Sequence, residues 1–195
     1  MSHGHHADHG AGHDNKRGND KKIAIFIAAL AALLAIAETG GKSAQTAALF
    51  HNIDAANLWQ FFQAKTIRQT NLRTAADLMD MDVTEAMPAA LVESRKKRVQ
   101  AWRETVARYE SEPDTREGRK ELMARAKDQE AKRDRSMAAY HLFELSSAAF
   151  QIAIVLASAT IITGAVWLVY VAGGLSLVGV VFAAFAWFAP TAIHL

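Results

Sequence analysis

Residues Leu145–Leu195 read LSSAAFQIAIVLASATIITGAVWLVYVAGGLSLVGVVFAAFAWFAPTAIHL, fifty-one residues without one Asp, Glu, Lys or Arg. A soluble domain needs charge on its outside, so a stretch like this points to a bilayer. It divides into two apolar runs, Ser146–Ala172, long enough to cross about 30 Å of hydrocarbon with tilt, and Leu175–Ala192, which returns. Gly173-Gly174 is the expected turn between them. Trp167 and Tyr170 flank that turn and Trp187 and Phe188 lie toward the other end, as interfacial aromatic belts would. Ala153, Ala157, Thr160 and Gly164 are small enough to allow close helix contact. Residues 146–195 are therefore expected to form a transmembrane helical hairpin.

The charge left out of this quarter lies upstream. All 22 Lys and Arg fall between Lys16 and Arg135, and the last acidic residue is Glu144. The average composition, 51% hydrophobic and 22% charged, hides this division. A formal net charge of +2 is too small to suggest a nucleic-acid partner. With no Cys, disulfides, thiolate catalysis and Cys-based metal sites are excluded.

Residues 1–21 form a polar tail expected to be disordered, since it has little apolar surface to bury. It carries His3, His5, His6, His9 and His13. Neutral imidazoles can gather Zn or Ni, although a flexible tail binds weakly because nothing fixes the geometry. No other cofactor is expected. Residues 22–41 are read as a first transmembrane helix. The run Ile23–Ala37 alone is short for a span, so a buried or re-entrant helix is the alternative. Lys and Arg counts near the spans are balanced and do not choose which side the central region faces.

Residues 42–145 are expected to form a helical extramembrane region of coiled-coil character. Three helices are expected, over 43–81, 85–109 and 114–145, with Pro88 and Pro113 at the first turns of the second and third. Gln69, Leu72, Ala76 and Met79 step by three and four. Val92, Arg95, Val99, Trp102, Val106 and Tyr109 do the same, which is a heptad seam with one charged member. Trp59 and Phe62 share a helix face, and with Val99, Trp102 and Val106 they are the candidate packing residues. Between Asp114 and Arg135, 14 of 22 residues are charged, so this helix needs ion pairs and one narrow seam. No breaker separates Arg135 from Phe150, so the same helix can run into the apolar segment. The basic run Arg95–Arg98 points in nearly all directions around a helix and reads as a solvated face.

Glu38 closes the first apolar run, and intramembrane carboxylates are costly. If the first run crosses, Glu38 shares a membrane face with His141 and Glu144, where an imidazole and a carboxylate could pair or relay a proton. The plainer reading places Glu38 among lipid headgroups. No Walker loop, dinucleotide fingerprint, H-E-x-x-H or G-x-S-x-G occurs, and nothing recommends an enzyme.

The segment Ala55–Arg68, AANLWQFFQAKTIR, carries a further signal. Together with the His-rich start, the short first run, Glu38–Ser43 and the apolar pair at the end, it resembles a family of bacterial membrane proteins that carry a domain of unknown function. That resemblance implies a multi-pass protein of the bacterial inner membrane and brings no activity or catalytic residue. The expected whole is an all-α integral membrane protein with three hydrophobic helices. The expected function is a membrane-anchored helical scaffold that self-associates. The lipid bilayer and a second copy of the chain are its expected partners. The alternative is a transport or metal-handling role using the His-rich tail and Glu38.

Overall fold

The computed structural model describes the backbone of residues 10–192 and side chains from Gly18 to Ala192. The described residues form four helices: α1 (Gly10–Met81), α2 (Ala89–Glu110), α3 (Arg119–Thr163) and α4 (Trp167–Phe188). No strand occurs among the described residues. The fold is therefore all-α. Three of the helices, α1, α3 and α4, are long and apolar enough to cross a membrane.

One repeat governs the two long helices. From Ile23 to Met79, every α1 residue reached by alternating steps of four and three is withdrawn from solvent. In α3 the same holds from Arg119 to Ala157. A spacing of 3.5 residues keeps one stripe of a helix facing its neighbours, which is the coiled-coil condition. The stripe changes chemistry along α1, from Ile23, Leu30 and Ala37 to Leu58, Lys65 and Leu72.

The chain divides into two compact units. The first comprises Met1–Ala47 and Arg135–Leu195. Its core repeats at intervals of seven on each helix: Ile23, Leu30 and Ala37 on α1; Phe143, Phe150 and Ala157 on α3; Ala172, Gly179 and Ala186 on α4. α3 also buries a second adjacent line, Leu142, Ser146, Ala149, Ala153 and Thr160. Two stripes on one helix mean two neighbours, and α3 is the central member of this unit. Gly40 and Gly179 receive the two Phe rings. A Cβ on Gly40 would lie 2.7 Å from Phe143 Cζ, and one on Gly179 would lie 2.9 Å from Phe150 Cε1. The outside of this unit is apolar, with Val155, Ile162, Trp167, Tyr170, Leu177 and Phe188 all largely exposed.

The turn between the two C-terminal apolar helices differs from expectation. The chain reverses at Gly164-Ala165-Val166, and Gly173 and Gly174 lie inside α4. Gly164 takes a left-handed φ of 73°, and its N–H bonds Thr160 O at 2.9 Å, which ends α3. With the reversal here, α4 has 22 residues, about 33 Å of helix. A helix starting after Gly174 would have lost its first two turns. Inside an apolar helix each Gly costs only about 1 kcal/mol, so the pair is tolerated.

The second unit, Ala48–Asp134, joins parts of α1 and α3 with all of α2. Here α2 starts at Ala89, after Pro88, whose carbonyl accepts the N–H groups of Leu91 and Val92. α3 starts at Arg119 and not at Asp114. Residues 113–116 form a turn in which Arg116 has a φ of 57°, outside the helical range. Glu121 closes that turn by accepting the Ser111 hydroxyl at 2.7 Å and the Glu112 N–H at 3.1 Å. These bonds hold residues 111–118 in a loop and displace the start of the helix.

Candidate functional site: a closed polar core

The seam of α1 in the second unit carries polar residues where a plain coiled coil would carry Leu or Ile. Lys65 and Gln69 are 5% and 4% exposed, and they follow Phe62 on the same stripe. Helical spacing sets all three toward α2 and the start of α3.

Each polar group finds a partner. Lys65 Nζ lies 3.4 Å from Glu112 Oε2 and 5.4 Å from the ring centres of both Phe61 and Tyr109. An ammonium between two ring faces and a carboxylate is held by charge and by the ring quadrupoles together. Gln69 Nε2 donates to Glu110 Oε2 at 3.0 Å and to Val106 O at 3.2 Å. Its carbonyl accepts from Arg119 Nη1 at 2.7 Å. Arg119 also donates to Glu110 at 2.6 Å and to Thr66 Oγ1 at 2.9 Å, with its guanidinium 5.0 Å from the Phe62 ring centre. One amide and one guanidinium thus tie α1, α2 and α3 together. No buried side-chain nitrogen or oxygen among the described residues lacks a partner.

Two carboxyls respond to this arrangement. The Gln69 amide and then the Arg119 charge hold Glu110 below the ordinary carboxylate value. Glu121 is lowered by the Ser111 hydroxyl and the Glu112 N–H. Outside the network, Trp59 Nε1 donates to Glu130 at 2.9 Å, and its ring meets Phe62 edge-on at 5.5 Å. His51 Nδ1 and Gln129 Oε1 are 2.8 Å apart.

This geometry ties three helices together. Lys65, Gln69 and Arg119 each donate to a carboxylate within the unit. On the first unit a groove of about 660 Å³ is lined by Ile36, Thr39, Gly40, Ser43, Phe143 and Trp187, among others. No ionisable side chain lines it, so it holds no acid–base pair.

The residues singled out from the sequence are placed as follows. Trp59 and Phe62 flank the network, while Val99 is buried on α2 with Trp102 and Val106 half-buried beside it. Glu38 is exposed on α1. Glu144 accepts the Tyr140 hydroxyl at 3.0 Å and lies 3.5 Å from His141 Nδ1, all on α3. That bond raises the Tyr140 pKa. Among the described residues, no hydrogen bond or ion pair joins Glu38 to His141 or Glu144. His3, His5, His6 and His9, and the side chain of His13, lie outside the described residues. Among the residues described, no cluster of three His, Asp or Glu is placed to hold a metal ion. The sequence reading placed Gln69 on a seam and Lys65 in the Ala55–Arg68 segment without giving either a polar-core role, and it gave none to Glu110, Glu112 or Arg119. The available signal was the polar pair Lys65 and Gln69 set at seam spacing after Phe62.

The segment from Trp59 to Gln69 supplies most of the α1 half of this network. A family model for a domain of unknown function, DUF4337, matches residues 19–189. The chain belongs to the DUF4337 family. The match takes in all of the second unit and nearly all described residues of the first. Comparison with curated proteins and with solved structures returned no match. Within the DUF4337 domain, the polar core lies where α2 ends and α3 begins.

Proposed function

We propose that this DUF4337 protein is a membrane-anchored helical scaffold that self-associates and has no catalytic activity of its own. The observation that carries the reading is a contrast within the second unit. Its interior polar groups are all satisfied internally, while Leu49, Phe50, Ile53, Ile67 and Leu78 are between 46% and 64% exposed. Apolar side chains on a charged extramembrane rod are stabilised by a partner helix. The apolar outside of the first unit supports a multi-pass anchor in a bilayer, and we place it in the bacterial inner membrane. The partners are lipid and further copies of the chain, with no role for nucleic acid.

Light scattering of the full chain in a mild detergent and in lipid nanodiscs tests this. A particle holding two or more chains is expected. A monomer in both media overturns the reading.

A further inference from the structure

The outer face of α1 in the second unit repeats with the same spacing as its buried face. Leu49, Ile53, Ala56, Gln60, Gln63, Ile67, Thr70 and Thr74 follow one another by alternating steps of four and three. All eight are exposed, and none is charged. Ile53 and Ile67 sit on the side directly away from the buried stripe, yet they are 46% and 62% exposed. The other two helices of the unit do not share this property. The exposed side of α2 presents Glu93, Lys96, Lys97, Arg98, Arg103 and Glu104, and that of α3 presents Lys127, Asp128 and Lys132.

A step of three and four over 26 residues is the imprint of a second helix of similar length lying alongside. An uncharged face is a poor match for nucleic acid or for anionic headgroups, both of which call for Lys and Arg. It matches another uncharged face, and the same face on a second copy has the right length and spacing. The exposed large side chains Leu49, Phe50, Ile53 and Ile67 offer on the order of 100 Å² each. With the smaller seam residues, the face approaches the roughly 800 Å² per partner of a standard interface.

We propose that this face of α1 is the self-association surface, paired in parallel and in register with the same face of a second copy. The proposal rests on the scaffold reading above. α1 carries its apolar run N-terminal to the face, so two chains inserted alike in one bilayer run parallel. In that register Ile53 meets Ile53 and Ile67 meets Ile67 of the other copy. Gln60 and Gln63 meet their own counterparts, and each amide both donates and accepts across the seam. Paired amides inside an apolar seam specify register at some cost in stability.

The absence of Cys makes the test direct. Single variants Ile53→Cys, Ile67→Cys and, as controls on exposed charged positions, Arg68→Cys and Glu104→Cys are oxidised mildly in native membranes. Disulfide-linked dimers from Ile53→Cys and from Ile67→Cys, with little from the controls, are expected. In parallel, Ile53→Lys with Ile67→Lys should convert the oligomer to monomer in nanodiscs while helix content by circular dichroism stays unchanged. Cross-linking only when the Ile53 and Ile67 variants are mixed means antiparallel pairing and overturns the proposal. An oligomer that survives the double Lys variant without seam cross-links overturns it too, and leaves the scaffold reading standing. A wild-type monomer overturns both.

Discussion

The Ser146 hydroxyl donates to the carbonyl oxygen of Gly179 across 2.8 Å, so one buried hydroxyl ties α3 to α4. Phe150, one turn further along α3, fills the space that a Cβ at position 179 would need. The pair works because Gly179 has no side chain. The Ser146 hydroxyl and the Phe150 ring can then both approach Gly179 from the same helix.

Gly179→Ala is therefore expected to cost about 1–3 kcal/mol, as overpacking does. Gly174→Ala, where nothing lies within 4 Å, should be neutral or stabilise by about 0.5–1 kcal/mol. Ser146→Ala should cost about 1 kcal/mol, the net value of one hydrogen bond. Thermal unfolding of the full chain in detergent ranks the three. Equal melting points for the two Gly variants would contradict the close approach.

The long apolar helices were more legible in the sequence than the polar core. A charge-free run declares an apolar environment by composition alone, and seven-residue spacing survives in any helix that faces neighbours. The turn at Gly164 was harder to read. A Gly-Gly pair is the stronger local signal, and only the left-handed φ at Gly164 reveals which glycine the turn requires. Glu112, Glu110 and Arg119 come together through a loop held by Glu121, a contact that short-range pattern does not encode. Glu110, Glu112 and Arg119 sit among many other charged residues, and nothing in the local pattern singles them out.

Arg119 is the hub of the second unit's polar core. Arg119→Met should cost about 2–3 kcal/mol, since Gln69 and Glu110 lose a partner in a partly buried site. Arg103→Met should cost well under about 1 kcal/mol, because its pairs with Asp77 and Asp80 are exposed. The difference between the two melting points is the readout. A similar loss for both would remove the hub role.

Acid should weaken this network in a defined direction. Glu110 is depressed below its ordinary value of 4.5 in the folded chain, so its contribution is present above that value. It is lost as pH falls through the folded pKa, because the unfolded state then binds the proton first. Melting points of the wild type and Glu110→Gln should differ at pH 7 and converge as pH falls through the depressed folded pKa. A constant gap across that range would show that Glu110 acts by packing alone.

The His-rich start gives a separate expectation. Replacing His3, His5, His6, His9 and His13 by Ala should abolish any heat of Zn or Ni binding that the full chain shows. Titration calorimetry on both proteins decides it. Heat that persists in the variant would move metal binding elsewhere in the chain.

On the bilayer reading proposed above, the three-residue link between α3 and α4 bears on how the two apolar helices are inserted. Gly164, Ala165 and Val166 carry no charge, and Thr163 Oγ1 already accepts the Ala165 N–H at 3.2 Å. During biosynthesis, a bilayer would be asked to pass only this short, partly self-bonded bend. On that reading, α3 and α4 would enter together, joined by this uncharged bend.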